Sequence, residues 1–460
     1  MGVVALADFG STYTKVNLVD RAEGRLLARA QAPTTIATDL MEGYAIALAA
    51  ATEQLPAPVA LEAEIAASSA GGGLRIAAIG LVADLTAAAA EQAALNAGAR
   101  VGTVLSGRLG APELERLHRA EAEIVLFAGG TDGGQGRLVL ENARRLAEDG
   151  VDAYVVVACN AEVAEEVVET LVAAGIEAEA AANVMPALGQ LRIDGARAAI
   201  SRVFLEHVIG GKKLSAGPEF ARMVRMPTPE AVLSAVSLLS RGDGGEGWGD
   251  AIVIDIGGAT TDVHSDRAVE KAAPGIEAPL LPTPLTLRTV EGDLGLRAGA
   301  PGVVAADRRW LQRQIGGAGG EQAWRGATMR SRRPAWIPAD EEEARLDRLL
   351  AIGCATHALD RHCGTMLLTR AEAGPPTLVR DGPDLREVRL VVGTGGVFAH
   401  RDDGAEILEA ALARRAPRSL APREARLAVD RGYVLAAAGL LSASDPQAAR
   451  KLLERELKKN

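Results

Sequence analysis

The chain begins with three short apolar runs that are separated by polar turns. Val3–Ala7, Lys15–Val19 and Arg25–Ala32 have the length and alternation of strands, with glycine-containing turns between them. This spacing predicts an antiparallel meander. Thr38 or Asp39 can cap the helix that the next stretch predicts.

Farther along, the pattern changes to strands and helices in alternation. Apolar runs at 101–105, 124–128 and 153–158 are each followed by a stretch with helical periodicity. Alternation at this spacing is typical of parallel βαβ units. The pattern therefore predicts that residues 99–182 form an inserted, open α/β domain.

Composition narrows the class of protein. The 460 residues carry a net charge of −10, and only 3% are aromatic. A chain of this length holds about two to four domains, and an acidic chain is a poor general nucleic-acid binder. Three cysteines do not make a disulfide framework, no leader peptide is evident, and no apolar run reaches the roughly 18–20 residues of a membrane helix. We expect a cytoplasmic protein with no nucleic-acid or membrane partner.

Two stretches carry candidate chemistry, "DFGSTYTK" from Asp8 and "DIGGATTD" from Asp255. Each ends an apolar strand with an acid and then turns through small residues, so that backbone N–H groups can point outward and hold phosphate oxygens. Lys15 can reach phosphates as a point charge. Asp8, Asp255 and Asp262 can hold Mg²⁺ through water or orient an attacking water. Further hydroxyl donors lie at Ser11, Thr12, Thr260 and Thr261.

One such unit alone is equally well explained as a β-hairpin with a polar turn. Two units, together with a late "GTGG" at residues 393–396, are better explained by a duplicated fold with one phosphate-binding hairpin in each half.

The motifs match, in order, the phosphate-1, phosphate-2 and adenosine motifs of the actin, Hsp70 and sugar-kinase superfamily. "SSAGGGLRIAAIGLVADLT", "LFAGGTDGG", "NVMPALG", "MPTPEAVL", "VIDIGGATTDVHS", "VEGDLGLR" and "GTGGVF" resemble one family within it, the glutamate mutase accessory family called GlmL or MutL. The likeness keeps one order from about residue 3 to beyond 440, so it is more specific than any single glycine loop.

The resemblance implies a chaperone-like ATPase that uses ATP and Mg²⁺. Members of the family are thought to reactivate adenosylcobalamin-dependent mutases by ATP-driven release of damaged cobalamin, so the implied partners are mutase subunits. The oligomeric state stays open, with a homodimer as one option. The implied fold is α/β: two actin-like, ribonuclease H-like lobes with an inserted Rossmann-like domain. The expected division is 1–98 for the first lobe, 99–182 for the insert, 183–249 for a helical connection and 250–460 for the second lobe.

The family motifs also assign roles to residues of this chain. Asp8, Asp255 and Asp262 would be catalytic, and Asp8 and Asp255 would hold Mg²⁺, mostly through water. Binding of the nucleotide would fall to Gly10, Ser11, Thr12, Lys15, Gly257, Gly258, Thr260, Thr261, Gly393, Thr394, Gly395 and Gly396.

Several alternatives remain at this point. The second motif also resembles the phosphate hairpin of hydantoinase and oxoprolinase subunits, and a non-hydrolysing nucleotide-binding scaffold is a further option. "GGTDGG" at 129–134 can be a ligand or partner site with Asp132 as its polar group, or a plain βα turn. "EGDLGLR" can be a hinge, an interdomain clasp or a helix start. Cys354, His357, His362 and Cys363 have a spacing that fits one zinc site poorly.

Overall fold

The computed structural model describes residues 2–211, 214–245, 247–269, 276–277, 279, 281–317, 319–369 and 377–458. Its strands are β1 Val3–Phe9, β2 Tyr13–Asp20, β3 Arg25–Pro33, β4 Leu61–Ser68, β5 Arg75–Gly80, β6 Arg100–Ser106, β7 Ile124–Gly129, β8 Tyr154–Cys159, β9 Ala178–Ala180, β10 Val224–Pro227, β11 Ala251–Ile256, β12 Thr261–Asp266, β13 Ile276–Glu277, β14 Thr286–Glu291, β15 Thr365–Thr369, β16 Thr377–Asp381, β17 Leu390–Thr394 and β18 Arg426–Val429. Its α-helices are α1 Leu40–Thr52, α2 Ala88–Asn96, α3 Ala111–Arg119, α4 Arg137–Asp149, α5 Ala164–Ala173, α6 Asp194–Val203, α7 Ile209–Gly211, α8 Glu219–Met223, α9 Thr228–Arg241, α10 Ala300–Ile315, α11 Gly319–Arg332, α12 Glu341–His362, α13 Gly396–Ala399, α14 Gly404–Ala413, α15 Val434–Ser442 and α16 Pro446–Leu457. Short 3₁₀ or π-helical turns lie at Ala70–Gly72, Ala83–Ala87 and Phe204–Val208.

Two five-stranded sheets share one topology. In the first, β1, β2 and β3 form the predicted antiparallel meander, and β4 and β10 extend the sheet in parallel on the other side of β1. In the second, β11, β12 and β14 form the meander, and β17 and β18 extend it in parallel beyond β11. The orders β10-β4-β1-β2-β3 and β18-β17-β11-β12-β14 are therefore equivalent, which confirms the predicted duplicated α/β fold.

Alternate residues of the central strands point to opposite faces of each sheet, and each face packs against a separate hydrophobic core. Val3, Ala5 and Phe9 of β1 face one core, whereas Val4 and Leu6 face another. The second of these cores also takes residues from β11, β17, α9 and α15, so it joins the two sheets. The fit there is close, because a side chain at Gly439 of α15 would place its Cβ 1.8 Å from the Ala231 carbonyl oxygen of α9.

The predicted insert forms a third, all-parallel sheet in the order β6-β5-β7-β8-β9. Alternate residues of its central strands pack against helices on one face and into the core of the first lobe on the other. β5 lies before residue 99, so the sheet takes in a strand that the predicted boundary leaves in the first lobe. β10 likewise shows that the predicted helical connection contributes a strand to the first sheet. The division into domains itself stays a prediction.

A small sheet completes the second half, with β16 between β13 and β15. Among the described helices, none combines the length and the apolar character that a bilayer crossing requires.

Candidate functional site

The two predicted hairpins make the same turn. In the first, the Gly10 N–H donates to the Tyr13 carbonyl at 3.2 Å, and in the second the Gly257 N–H donates to the Thr260 carbonyl at 2.9 Å. Within the described chain, four exposed residues of these turns have a backbone N–H group without a backbone acceptor: Ser11, Thr12, Gly258 and Ala259. N–H groups left free in a tight turn suit the oxygens of an anion.

The first hairpin holds a fixed ion pair. Lys15 lies opposite Asp8 in the strand register, and its Nζ donates to Asp8 Oδ2 at 2.9 Å. The other carboxylate oxygen, Oδ1, accepts a hydrogen bond of 2.7 Å from the Thr228 hydroxyl at the start of α9. Burial alone would lower the pKa of Lys15, but the Asp8 carboxylate raises it above its ordinary value, so the ammonium stays charged. Lys15 Nζ also lies 4.8 Å from the centre of the Tyr433 ring.

Asp255 occupies the equivalent position of the second hairpin, and its environment differs. No described residue donates a hydrogen bond to its carboxylate. Burial, followed by the nearby charge of Asp262, raises its pKa to about 7, and Lys15 opposes this shift. Asp8 and Asp430 also act on it. The two hairpins therefore bring several carboxylates and one ammonium into a single electrostatic neighbourhood.

Asp262, the third predicted catalytic acid, is held by an arginine. The Arg288 guanidinium on β14 donates to Asp262 Oδ1, through Nε at 2.9 Å. It also donates to the Leu95 carbonyl in the last turn of α2 and to the Ala99 carbonyl just beyond that helix. Asp262 Oδ2 accepts a weaker contact of 3.3 Å from the Thr260 hydroxyl. Through Arg288, this acid therefore connects the second hairpin with α2, the helix that packs against β5 and β6 of the third sheet.

The late glycine motif packs directly on the second hairpin. Gly395 has a φ of +99°, and a side chain there would place its Cβ 2.3 Å from the Ile256 carbonyl oxygen. Gly396 begins α13, and a Cβ on it would lie 3.6 Å from the Tyr433 hydroxyl oxygen. A Cβ on Gly393 would enter the ring of Phe398. Glycines at these positions let the "GTGG" loop reach the ends of β11 and β18.

Two threonines of the predicted site turn inward. Thr261 is buried, and its hydroxyl donates to the Leu294 carbonyl at 2.9 Å. Thr394 is also buried, and its hydroxyl pairs with the Asp430 carboxylate at 3.0 Å. Both hydroxyls are occupied within the protein, whereas Ser11, Thr12 and Thr260 remain at or near the surface of the turns.

Three further residues of the site escape motif analysis. Thr228 lies in "MPTPEAVL", which the resemblance includes without a role. Asp430 caps α15 through the Val434 and Leu435 N–H groups, and Tyr433 adopts a left-handed φ of +51° beside Lys15. The signal for Tyr433 is absent from the local sequence, because only the folded chain brings it to the first hairpin.

The "EGDLGLR" segment packs against the turn of the second hairpin. The Leu296 and Arg297 N–H groups donate to the Gly257 and Gly258 carbonyls at 3.0 and 2.7 Å. A Cβ on Gly295 would clash with Ala259, so the two loops are in close contact. The acids of the motif, Glu291 and Asp293, instead pair with Arg361 of α12.

The arrangement fits a divalent cation held with phosphates. Among the described residues, no group of three His, Cys, Asp or Glu side chains could hold a metal ion on its own. Mg²⁺ usually keeps several waters and takes one or two carboxylates plus substrate phosphates. Asp255, which has no hydrogen-bond donor among the described residues, and Asp8, whose charge acts on it, provide such carboxylates, so the residues fit the predicted ion.

The remaining motifs are occupied by internal contacts. Asp132 Oδ1 accepts from the Ala161 N–H and the Asn183 amide, which ties the "GGTDGG" turn to the neighbouring loops. His362 contacts Thr289 and Ser265, and His357 lies 3.5 Å from Asp307. Cys354 and Cys363 are buried free thiols.

Several known proteins are similar to this chain. A family described as MutL protein matches residues 4–457. "Protein MutL" of Clostridium tetanomorphum is 40% identical over 464 residues, which is 100% of both chains. Among solved structures, a nucleotide-free diol dehydratase-reactivating factor is 12% identical with a TM-score of 0.37, covering 96% of this chain and 99% of its own. A nucleotide-free acetone carboxylase is 15% identical with a TM-score of 0.37, covering 96% and 70%.

Proposed function

This chain belongs to the MutL protein family, the glutamate mutase accessory family that its motifs resemble, and from that premise we propose that it is an ATP-hydrolysing accessory protein. On this proposal it binds ATP with Mg²⁺ between the two hairpins and acts on an adenosylcobalamin-dependent mutase, promoting release of damaged cobalamin. The observation that carries the proposal is the meeting of Asp8 and Lys15 with Asp255 in one electrostatic neighbourhood. Its three free thiols suit a cytoplasmic setting.

The chain's own groups supply the parts that phosphoryl transfer to water requires. The open N–H groups of the two turns would bind phosphate oxygens, and the charged Lys15 would offset their negative charge. Asp8 is oriented by Lys15 and Thr228, so its carboxylate has a fixed direction. Asp255 has no donor among the described residues and would accept from the attacking water or from a water of the cation. Mg²⁺ would supply charge neutralisation at the phosphates.

Hydrolysis would be transmitted through contacts that cross between the two lobes. The Asn17 amide on β2 donates to the Gly432 carbonyl at 3.1 Å, and Arg29 on β3 donates to the Arg431 carbonyl. Both acceptors directly precede Tyr433, which lies beside Lys15. A change at the first hairpin would therefore act on the loop that leads into α15, the helix packed between the lobes.

Replacing Thr228 with valine is expected to lower kcat/KM for ATP hydrolysis about tenfold, because a hydrogen bond to a charged group contributes roughly 1.5–3 kcal/mol. Valine keeps the shape of the side chain but cannot donate to Asp8 Oδ1, so the carboxylate loses its fixed direction. Steady-state phosphate release measures the effect.

Serine at position 228 retains the hydroxyl and should restore most of the activity. Ser234→Ala on the same helix is the matched control, since that hydroxyl donates only to the Glu230 carbonyl. Full activity in Thr228→Val would show that orientation of Asp8 does not limit turnover.

The partner proposal is tested by mixing the purified protein with its mutase subunits. We expect co-elution in size-exclusion chromatography to differ between the nucleotide-free protein and the protein with ATP and Mg²⁺. Restored turnover of a mutase that holds inactivated cobalamin, dependent on ATP hydrolysis, would be the functional readout. ATP hydrolysis without any mutase association would contradict the partner, and steady hydrolysis of 5-oxoproline or a hydantoin would favour the amidohydrolase alternative.

A further inference from the structure

The α10–α11 hairpin carries a concentration of positive charge on an acidic chain. Residues 308–333 contain seven arginines and one acid, while the whole chain has a net charge of −10. Arg330 is fully buried, and the other six arginines are exposed. With the residues that the structure describes, none of these six side chains forms an ion pair or hydrogen bond: Arg308, Arg309, Arg313, Arg325, Arg332 and Arg333.

A cavity of about 430 Å³ opens between α11, the end of α10 and the start of α12, and Arg325 of this cluster lines it. Two acids in its wall are already engaged, since Glu343 pairs with Arg330 and Glu342 accepts from Gln322. The Arg345 guanidinium donates to the Gln314 carbonyl. Apolar and basic residues of the wall include Ile315, Arg325, Met329, Arg345, Leu346 and Leu349. We call this cavity, with the exposed arginines of α10 and α11, the basic groove.

We propose that the basic groove docks an acidic segment of a partner protein that inserts one apolar side chain into the cavity. The unpaired arginines complement acidic side chains, and the Ile315, Met329 and Leu346 walls suit an apolar anchor. This proposal goes beyond the proposed function, because it assigns a docking surface and the type of segment that the surface recognises. It does not depend on which protein supplies the segment.

The shape and composition of the groove favour protein over nucleic acid. A phosphate backbone would be matched by the arginines but would leave the apolar cavity empty. Exposed tryptophan, methionine and arginine are the residues enriched in protein interfaces, and Trp324 on α11 is 49% exposed. Ile337, just beyond α11, is also exposed.

The groove is connected to the second hairpin by buried contacts. Arg330 Nε of α11 donates to Asp347 at 2.7 Å, and Arg297 pairs with the same carboxylate at 3.0 Å. Arg297 also donates to the Trp336 carbonyl, and its own N–H donates to Gly258. A segment bound in the groove would therefore act on a series of contacts that ends at the second hairpin.

The test uses fluorescent peptides and the full-length protein. The probe is an amphipathic helix of glutamate and leucine, compared with the same peptide carrying alanine for each leucine, and with a short DNA duplex. We expect salt-dependent binding of the glutamate–leucine peptide, and binding weaker by about tenfold or more both for the alanine peptide and for the Arg325→Glu/Arg332→Glu protein. Arg119→Glu, an exposed charge reversal on α3, should change the affinity less than about twofold.

Each other outcome counts against the proposal. Absence of peptide binding to the wild-type protein, or equal binding by Arg325→Glu/Arg332→Glu, would overturn it. A duplex that binds more tightly than the peptide, with the same sensitivity to these substitutions, would make the groove a nucleic-acid surface instead. ATP turnover and mutase association are measured separately on the same variants, so failure of the groove leaves the proposed function standing and failure of the proposed function leaves the peptide result intact.

Discussion

Asp255→Asn is expected to lower the turnover of ATP by about 10²–10³-fold, the range typical for loss of one preorganised electrostatic group in an active site. Asparagine keeps the shape of the side chain but removes the charge that would hold a cation's water or accept from the attacking water. None of the described residues donates a hydrogen bond to the Asp255 carboxylate, so the substitution breaks no hydrogen bond with them. Steady-state kcat with ATP and Mg²⁺ measures the loss.

Asp243→Asn is the matched control, because it makes the same chemical change at an exposed position in the loop before β11. It should retain wild-type turnover. An Asp255→Asn protein that hydrolyses ATP at the wild-type rate would remove Asp255 from both the catalytic and the magnesium-binding roles.

The same substitution should stabilise the metal-free protein by an amount that grows from about pH 4 to about pH 7 and then stays constant. The folded-state pKa of Asp255, about 7, lies above the ordinary value of an aspartate because the site buries the carboxyl group. A raised carboxyl pKa means that ionisation costs free energy in the fold, so the wild-type protein loses stability as pH rises from about 4, the ordinary aspartate pKa, to the folded-state pKa of about 7. The neutral amide of the Asp255→Asn variant has no charge to bury. The advantage of the variant over the wild type in thermal unfolding, measured in chelator, should be small at about pH 4.5 and larger at about pH 8.

The hairpins could be predicted from sequence because their signals are local. An acid at the end of a strand, followed at once by a glycine turn, specifies the geometry within a few residues, and the structure has the same turn at Gly10 and Gly257. The inward direction of Thr261 follows from the two-residue period of strands, since Asp262 faces Arg288 from the opposite side of β12. This two-residue period can be recognised in the sequence, but comparison with the motif alone does not use it.

Other parts of the site depend on long-range packing and were beyond local analysis. Thr228 reaches Asp8 only because β10 adds to the first sheet and directs α9 at the hairpin. Tyr433 reaches Lys15 because the second sheet's last strand ends beside the first lobe. The strand at 75–80 joins the third sheet although its sequence continues directly from a glycine loop of the first lobe. Tertiary contacts decide which strands and side chains come together here, and a short stretch of sequence does not contain those contacts.

Arg288→Met is expected to lower the free energy of unfolding by about 3 kcal/mol or more, the range measured when one partner of a buried ion pair is removed. The Arg288 side chain is 4% exposed and that of Asp262 is 15% exposed, so water cannot solvate the remaining carboxylate well. Chemical denaturation measures the loss. Arg119→Met should cost less than about 1 kcal/mol, because its pair with Glu115 is exposed on both sides.

A second substitution separates the effect of the unpaired Asp262 carboxylate from the loss of the contacts between Arg288 and α2. Adding Asp262→Asn to Arg288→Met removes the unpaired carboxylate, so the double variant should regain part of the lost stability. The Leu95 and Ala99 carbonyls would still lack the guanidinium that caps the end of α2, and faster amide hydrogen exchange confined to α2 should persist. If the double variant is less stable than the single one and α2 stays protected, Arg288 does not join the second hairpin to α2.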